Sequence, residues 1–277
     1  MTTPVPKYLY RYMAFPPEQK SQEVQDKIKR MESLFVESKV YMVSPLWFND
    51  PFDCKRTFSK EGFTQYHVEK YARLLVGRGQ SVAAHKRKQK SEELIKLWGS
   101  DRELLLNTLE KGAINSCKKI GILSLSKTPI DILMWSHYAN GHQGLCVQLD
   151  VERLPNVKNA LHEVKYSDCF PSFTEYIYGD DKTQNRLLFA TKAIHWKYEQ
   201  EWRYFYLFAN GVVQIEKDPI YLPDDSLSAV ILGCEMDDKH KDTVKGWISK
   251  RKTPIKICQA VRSKTQYSVE IDGLPQP

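Results

Sequence analysis

The stretch from Tyr198 to Phe208 reads YEQEWRYFYLF and is the most aromatic part of the chain. Aromatic side chains favour strands, so the sequence predicts a strand from Glu201 to Phe208. In an extended chain Glu199, Glu201 and Arg203 point to the same face, which places two carboxylates beside one cation. Two interpretations follow: an ion pair on a solvated face, or a carboxylate that polarises a hydroxyl group or stabilises a cationic transition state.

The elements around this strand mix helices and strands without a regular strand–helix–strand alternation. Helices are predicted at residues 21–38, 130–139, 181–193 and 239–250 and over most of 62–118. Further strands are predicted at residues 7–13, 121–126, 144–149, 162–166, 229–233 and 255–261. We therefore expect an α+β fold with a mixed or split β-sheet and flanking helices. The 277 residues are expected to form a single domain with a mostly helical insertion at about 62–118.

The composition is that of a globular protein, with 42% hydrophobic and 27% charged residues. No apolar run approaches the roughly 20 residues that span a bilayer, and no secretory signal is visible, so we expect a cytoplasmic protein without membrane contact. The cysteines are dispersed without a C-x-x-C pair, and no metal cofactor is expected. The net charge of +7 includes a basic segment at residues 85–90, HKRKQK, which either contacts nucleic-acid phosphates or forms a solvated helix face.

The segment WFNDPFD at residues 47–53 places Asn49 and Asp50 directly before a proline. Asn and Asp side chains in such a turn bond their own backbone, so one interpretation is a purely structural turn. The other interpretation is that the neighbouring aromatic side chains form a site wall at which Asn49 and Asp50 contact a ligand.

The segment WSHYANGHQG at residues 135–144 concentrates two histidines, a serine and a tyrosine around a turn. Asn140 and Gly141 are typical of a helix end. Because His137 and His142 are five residues apart, they do not share a helix face, and the zinc-protease motif HExxH is absent. The chain also lacks P-loop, dinucleotide-binding and α/β-hydrolase signatures. The residues of this segment that are expected to contribute to a site are Trp135, His137, Tyr138 and His142.

These segments resemble a widespread bacterial and phage family that is known only as a domain of unknown function. The resemblance extends over nearly the whole chain and rests on four motifs. The motifs are LYRY at residues 9–12, FNDPFD at 48–53, MWSHYA at 134–139 with His142, Gly144 and Cys146, and WKYEQEWR at 196–203. The resemblance implies no particular reaction.

The order of the motifs also resembles one branch of the ADP-ribosyltransferase superfamily. Members of that branch carry an Arg on the first strand, Ser-x-Ser on a middle strand and Glu-x-Glu on a later strand. The corresponding positions here are Arg11, Ser124, Ser126, Glu199 and Glu201. The resemblance implies that Arg11 holds the phosphates of NAD, with Tyr12 beside it, and that the serines brace the site. It also implies that Glu201 bonds a ribose hydroxyl and stabilises an oxocarbenium-like state as nicotinamide leaves.

Three functions are open at this point. The first is an NAD-using ADP-ribosyltransferase-like enzyme or NAD glycohydrolase, such as a toxin or phage-defence effector, with catalytic residues Glu201, His137 and Glu199. The second is a metal-dependent nuclease or phosphoesterase in which the basic segment holds nucleic acid. Its candidate residues are Asp50, Asp53, His137, His142 and Glu199. The third is a non-catalytic module that binds a nucleotide, an NAD-like ligand or a protein partner.

Overall fold

The computed structural model describes residues 4–16, 21–54, 64–78, 84–208 and 219–274. The contacts within it divide the chain into two compact units. The first unit consists of Met1–Ser44, Ile120–Val164 and Ile194–Pro277, and the second of Pro45–Lys119 and Lys165–Ala193. The expectation of a single domain with a helical insertion stays a prediction. None of the described helices is long and apolar enough to cross a membrane.

The secondary-structure elements are numbered in chain order. The strands are β1 Tyr8–Met13, β2 Lys39–Val40, β3 Ile120–Ser126, β4 Leu145–Asp150, β5 Leu161–Glu163, β6 Lys165–Ser167, β7 Thr191–Ala193, β8 Glu201–Leu207, β9 Ile220–Tyr221, β10 Leu227–Leu232, β11 Lys256–Arg262 and β12 Val269–Ile271. The helices are α1 Gln22–Glu37, α2 Gln65–Arg78, α3 Ala84–Ser100, α4 Arg102–Cys117, α5 Ile132–Tyr138, α6 Val157–Ala160, α7 Phe173–Tyr178, α8 Asp181–Phe189 and α9 Asp238–Ser249.

The first unit is built on an eight-stranded sheet with the strand order β12-β11-β10-β4-β1-β3-β8-β5. Strands β10 and β11 run parallel, and the other neighbouring strands run antiparallel. The prediction of an α+β fold with a mixed sheet and flanking helices is therefore confirmed. The sheet order matters for the site, because it makes β4, β1, β3 and β8 neighbours.

Alternation along the strands sorts side chains onto two faces of this sheet. On β1, Tyr10 and Tyr12 lie on one face, and Leu9 and Met13 lie on the other. We call the first the α5 face, because Trp135 of α5 packs edge-to-face on Tyr12 with ring centroids 5.2 Å apart. We call the second the α1 face, because Leu9 belongs to a large apolar core that includes side chains of α1 and α9. The buried helix side chains in that core are Met31, Leu34, Phe35, Val244 and Trp247.

Helix α5 is short and is defined by its two ends. It begins after Asp131, whose carboxylate accepts hydrogen bonds from two N–H groups of the first turn at 2.9 and 3.0 Å. The predicted start at residue 130 was too early, because Asp131 is the residue that satisfies the unpaired N–H groups. The helix ends in a turn where Asn140 and Gly141 have left-handed φ angles of 49° and 59°, as their sequence indicates.

Two predicted elements differ from the structure at their ends. The predicted strand at 162–166 is split between β5 and β6, because Lys165 donates its backbone N–H to Ala190 and β6 pairs with β7 in a separate sheet. The predicted helix at 181–193 ends at Phe189, since residues 191–193 form β7. The short elements β2, β9, β12, α6 and α7 carry no sequence pattern that predicts them.

The second unit contains α2, α3 and α4, which lie within the stretch 62–118 that was predicted to be mostly helical. Helix α4 begins after Asp101, whose carboxylate accepts from the N–H of Leu104 at 3.0 Å. On α3, Trp98 is buried and packs on Tyr71 of α2, with ring centroids 5.9 Å apart. The unit also holds α7, α8 and the parallel pair of β6 and β7.

Candidate functional site

The centre of the candidate site is a buried ion pair on β8. Arg203 is fully buried and Glu201 is nearly so. The guanidinium donates from Nε to Glu201 Oε1 and from Nη2 to Oε2, each at 2.8 Å. This two-point pairing holds the carboxylate in one orientation. The predicted pairing of these two residues on one face is thus present, and it is buried rather than solvated.

Strand register extends this pair into a line of polar side chains. Ser126 lies opposite Glu201, and Ser124 lies opposite Arg203, on the adjacent antiparallel strand β3. Tyr10 of β1 lies opposite Ser126 in turn. On β4, Gln148 donates its side-chain N–H to the Tyr10 hydroxyl at 3.1 Å. We call the four residues Gln148, Tyr10, Ser126 and Glu201, which cross four neighbouring strands on the α5 face, the polar row.

Glu199 reaches the polar row from a different element than predicted. It ends the 3-10 helix Ile194–Glu199, and Gln200 has a left-handed φ of 45° before β8 begins. Residues 199–203 are therefore not one extended segment, and strand alternation does not apply to Glu199, because the left-handed Gln200 interrupts it. Glu199 is nevertheless brought close, because the Ser126 hydroxyl donates to its backbone carbonyl at 2.7 Å.

A tyrosine of α5 holds the buried Glu199 carboxylate. The hydroxyl of Tyr138 donates to Glu199 Oε1 at 2.6 Å, a short bond of the charge-assisted kind. Burial, followed by the negative charge of Glu199, raises the pKa of Tyr138 far above its ordinary value. Tyr138 therefore stays protonated and acts as a hydrogen-bond donor. This places a second oriented carboxylate at the edge of the polar row.

His137 lies beside these groups on an exposed part of α5. Its Nδ1 atom is 2.9 Å from the hydroxyl of Tyr198, which belongs to the same 3-10 helix as Glu199. The ring edge also contacts Tyr198, with centroids 5.9 Å apart. Helix α5 is thus tied to the 3-10 helix twice, once by His137 and once by Tyr138, and this linkage brings the two predicted segments together.

Two of the predicted cofactor-binding aromatics are part of the core. Trp135 is fully buried, and its Nε1–H donates to the carbonyl of Pro129 at 2.8 Å. Tyr12 is buried, and its hydroxyl donates to the carbonyl of Thr128 at 2.9 Å. Since both polar atoms are bonded within the fold, these side chains position α5 on the sheet rather than present a surface to a ligand.

His142 lies on the other flank of α5. Residues two positions apart on a helix project about 200° apart, so Ser136, whose hydroxyl is 3.4 Å from His142 Nε2, faces away from Tyr138, which holds Glu199. The His142 ring stacks on Trp135 with centroids 6.1 Å apart. Burial lowers the pKa of His142, so its imidazole is neutral at neutral pH. His142 is therefore separated from the polar row by α5.

Residues 134–204 match the family described as a protein of unknown function (DUF2971). The DUF2971 match contains α5 from Met134 onward, the 3-10 helix and the first four residues of β8. It therefore includes residues 135–144 and residues 198–204, which are most of the two segments that α5 and the 3-10 helix bring together. It supports, over this part of the chain, the expected resemblance to a family of unknown function. No curated protein and no solved structure is significantly similar to the chain.

Arg11 lies outside the DUF2971 match and is not brought together with Glu201. Its register partner on β4 is Val147, a residue of the α1-face core, so Arg11 lies on the opposite face of the sheet from Ser126 and Glu201. Among the described residues, its guanidinium has no hydrogen bond or ion pair. Burial lowers the pKa of Arg11 to about 10. The sequence pattern missed this separation because it did not include strand pairing.

The remaining predicted residues lie in the second unit. Asp50 is buried, and its carboxylate accepts from the N–H of Phe52 at 2.8 Å, which is the bond of a structural turn. Asn49 is exposed beside it. The Asp53 carboxylate is 3.5 Å from the ammonium group of Lys192. Within the described part of the chain, no three His, Cys, Asp or Glu side chains come together as metal ligands.

The basic segment at residues 85–90 forms the first turns of α3, and all six side chains are exposed. Exposure is compatible with both interpretations, and nucleic-acid binding by this segment stays a prediction. Sequence reasoning did not identify Tyr10 and Gln148, which complete the polar row. A polar residue in the otherwise apolar strand GLCVQL was the available signal for Gln148.

Proposed function

We propose that the chain cleaves the bond between nicotinamide and ribose in NAD, as an ADP-ribosyltransferase-like enzyme or an NAD glycohydrolase. The observation that carries the proposal is the register of β3 and β8, which pairs Ser126 with Glu201 and Ser124 with Arg203 on one face. The Ser-x-Ser and Glu-x-Glu positions of the resemblance are therefore adjacent.

Glu201 is the proposed catalytic carboxylate. Arg203 orients it through two hydrogen bonds, and a carboxylate held in one orientation is suited to stabilise a developing positive charge. In the proposal, Glu201 accepts a hydrogen bond from a ribose hydroxyl while Arg203 holds it in place. As the glycosidic C–N bond breaks, its electron pair leaves with nicotinamide, and the carboxylate stabilises the cationic ribose until water or an acceptor attacks.

Other residues of the cluster have supporting roles in the proposal. Glu199, held by Tyr138, adds a second negative charge near the cationic ribose. Ser124 is exposed on the same face and offers a hydroxyl to the substrate. Arg11 has no part in the proposed reaction, because it lies on the other face of the sheet.

A cytoplasmic location would supply NAD to the proposed enzyme. Depletion of NAD is the route by which the protein would act as a toxin or phage-defence effector.

The alternative functions have less support. A metal-dependent nuclease needs a group of metal ligands, and the described residues form no such group of three. A non-catalytic binding module would use the same polar row without turnover. Release of nicotinamide from NAD therefore distinguishes the proposed enzyme from a binding module.

The test is nicotinamide release from NAD by the purified 277-residue chain, measured by chromatography. We expect wild-type release and a rate about 100-fold lower for Glu201→Gln, in line with the loss of an electrostatic stabiliser. Because Glu201→Gln removes the carboxylate that binds the buried Arg203 at two points, circular dichroism must show that the variant is folded. A second variant, Ser124→Tyr, places a bulky side chain beside Glu201 on the α5 face, at a position that is exposed in the wild type. It should block access of NAD to Glu201 and so reduce nicotinamide release. Its matched control is Ile257→Tyr, at an exposed strand position on β11.

Three results would contradict the proposal. The first is a folded wild-type protein that binds NAD without releasing nicotinamide, which would indicate a binding module. The second is full activity in a folded Glu201→Gln variant. The third is equal activity in Ser124→Tyr and Ile257→Tyr.

A further inference from the structure

A pocket lies on the flank of α5 that faces away from the Glu199 and Glu201 carboxylates. One wall consists of Ile132 and Ser136 of α5 together with His142 of the following turn, and the other is the β11–β12 connection at residues 262–269. The cavity measures about 540 Å³, within the range of roughly 300–1,000 Å³ typical of small-molecule sites. We call it the β11–β12 pocket. It lies entirely in the first unit.

The pocket carries an excess of positive charge. Arg262 and Lys264 both line it. The Arg262 guanidinium is 3.5 Å from the carboxylate of Glu235, so one cation is partly neutralised. In the described parts of the chain, Lys264 has no hydrogen bond or ion pair and is exposed. The ammonium group of Lys264 is therefore available to bind an anionic group of a ligand, and the guanidinium of Arg262 is a second cationic donor at the same pocket.

The connection between β11 and β12 also offers hydroxyl groups and a flat surface. The loop is closed on itself by backbone bonds from Ser263 N–H to Ser268 O at 3.0 Å and from Ser268 N–H to Gln266 O at 2.9 Å. Tyr267 on this loop is fully exposed, and Ile132 on the facing helix is 38% exposed. An exposed aromatic ring and an exposed aliphatic side chain at one pocket provide stacking and apolar contact for a planar group.

His142 makes this pocket unusual in a second, independent way. It is not a glycine, yet its φ is 68°, a conformation that costs on the order of 1–2 kcal/mol. Its Nδ1 atom is buried and has no hydrogen-bond partner among the described residues. Strained backbone and unsatisfied buried polar atoms are concentrated at ligand sites, and here both occur on one pocket-lining residue.

We infer that the β11–β12 pocket is a second binding site, which takes a nucleoside monophosphate. The phosphate would bind Lys264 and Arg262, and the base would lie between Tyr267 and Ile132. The inference goes beyond the proposed function, because the pocket shares no residue with the polar row and requires no NAD cleavage. Its location on α5, which also carries Tyr138, places a ligand on the helix that holds the Glu199 carboxylate.

The test is isothermal titration calorimetry of the 277-residue chain with AMP. We expect wild-type binding, weakened about tenfold in Lys264→Ala, the loss that one charge-assisted hydrogen bond produces. Tyr267→Ala, at a fully exposed ring, should weaken binding without affecting the fold. The matched control is Lys252→Ala, an exposed lysine that does not line the pocket. It should bind AMP as the wild type does.

Further titrations separate this inference from the proposed function. A folded Glu201→Gln variant should bind AMP normally, whatever its effect on NAD. The inference is overturned by a wild-type chain that does not bind AMP, or by unchanged affinity in both Lys264→Ala and Tyr267→Ala. It is also overturned if Glu201→Gln loses AMP while Lys264→Ala keeps it. Inorganic phosphate or adenosine binding as tightly as AMP would likewise contradict a nucleotide site.

Discussion

The charged residues of this protein show how strand register decides the role of a single side chain. Glu201 and Arg203 are two residues apart on β8 and bind each other at 2.8 Å in a buried setting. Removal of either partner takes one charge out of this buried pair, a change that is generally destabilising. Activity measured on Glu201 variants therefore has to be read beside their stability, which is why Ser124 is the more useful position for substitution.

The single residue Arg11 gives a prediction about the free energy of unfolding. Its partly buried guanidinium has no bonded partner among the described residues and is adjacent to the apolar core of the α1 face. An unpaired charge in such a place is costly. Arg11→Met should therefore raise the free energy of unfolding by about 1–3 kcal/mol, as measured by urea denaturation. The control Arg153→Met removes an exposed arginine that is paired with Asp225 at 3.2 Å.

The control substitution should change the free energy of unfolding by less than about 0.5 kcal/mol. If Arg11→Met destabilises the chain, the guanidinium contributes a favourable interaction and the argument from desolvation is wrong. Because Arg11 lies on the face opposite Glu201, nicotinamide release should not change in either variant.

At the scale of elements, the turn between α5 and β4 depends on close backbone approach. Gly233, which follows β10, donates its N–H to the carbonyl of Gly144 at 2.9 Å. A Cβ atom on Gly233 would lie 2.0 Å from the backbone oxygen of His142. A Cβ atom on Gly144 would lie 2.2 Å from the oxygen of Met13. The turn that carries His142 is therefore held between the ends of β1, β4 and β10.

This geometry predicts opposite effects for two glycine-to-alanine substitutions. Gly233→Ala should destabilise the fold by about 3 kcal/mol or more, since the backbone must move. Gly246→Ala, in α9, has nothing within 4 Å of its added Cβ and should stabilise by about 0.5–1 kcal/mol. Thermal unfolding measures both. Equal effects of the two substitutions would show that the backbone around Gly233 moves away from the His142 carbonyl with little loss of stability.

At the scale of the whole molecule, buried acidic groups predict instability at alkaline pH. Burial raises the pKa of several tyrosines and thiols, which are Tyr10, Tyr12, Tyr138, Tyr204, Cys146, Cys234 and Cys258. In the unfolded chain these groups lose protons near pH 8.5 for thiols and near pH 10 for tyrosines. The folded chain keeps its protons there, so rising pH favours unfolding.

We expect the free energy of unfolding to fall above about pH 8.5 and more steeply above about pH 10. The slope is about 1.4 kcal/mol per pH unit for a fully buried group, such as Cys146. Arg11 acts in the opposite sense, since burial lowers its pKa to about 10, but it is a single group. Urea denaturation from pH 7 to pH 11 measures the trend. Constant stability over this range would show that the buried thiols and tyrosines ionise in the folded chain.

The sequence determined the type and approximate position of most long elements. Strand β1, helix α1, strand β8 and helix α9 follow from aromatic content and apolar periodicity, which act over neighbouring residues. The turn at Asn140 and Gly141 also follows from local chemistry, because these residues accept left-handed φ angles. The pairing of Glu201 with Arg203 was visible as well, since a strand alternates with a period of two residues.

Only the tertiary structure decided which residues meet. Gln148 and Tyr10 are 138 positions apart, and Ser126 and Glu199 are 73 apart, yet each pair is hydrogen-bonded. The sheet order and register bring them together, and the same register places Arg11 on the opposite face. Local patterns contain no information on strand order, because it results from the burial of two sheet faces by helices distant in the sequence. The candidate site was therefore predictable as a set of segments, and its assembly was not.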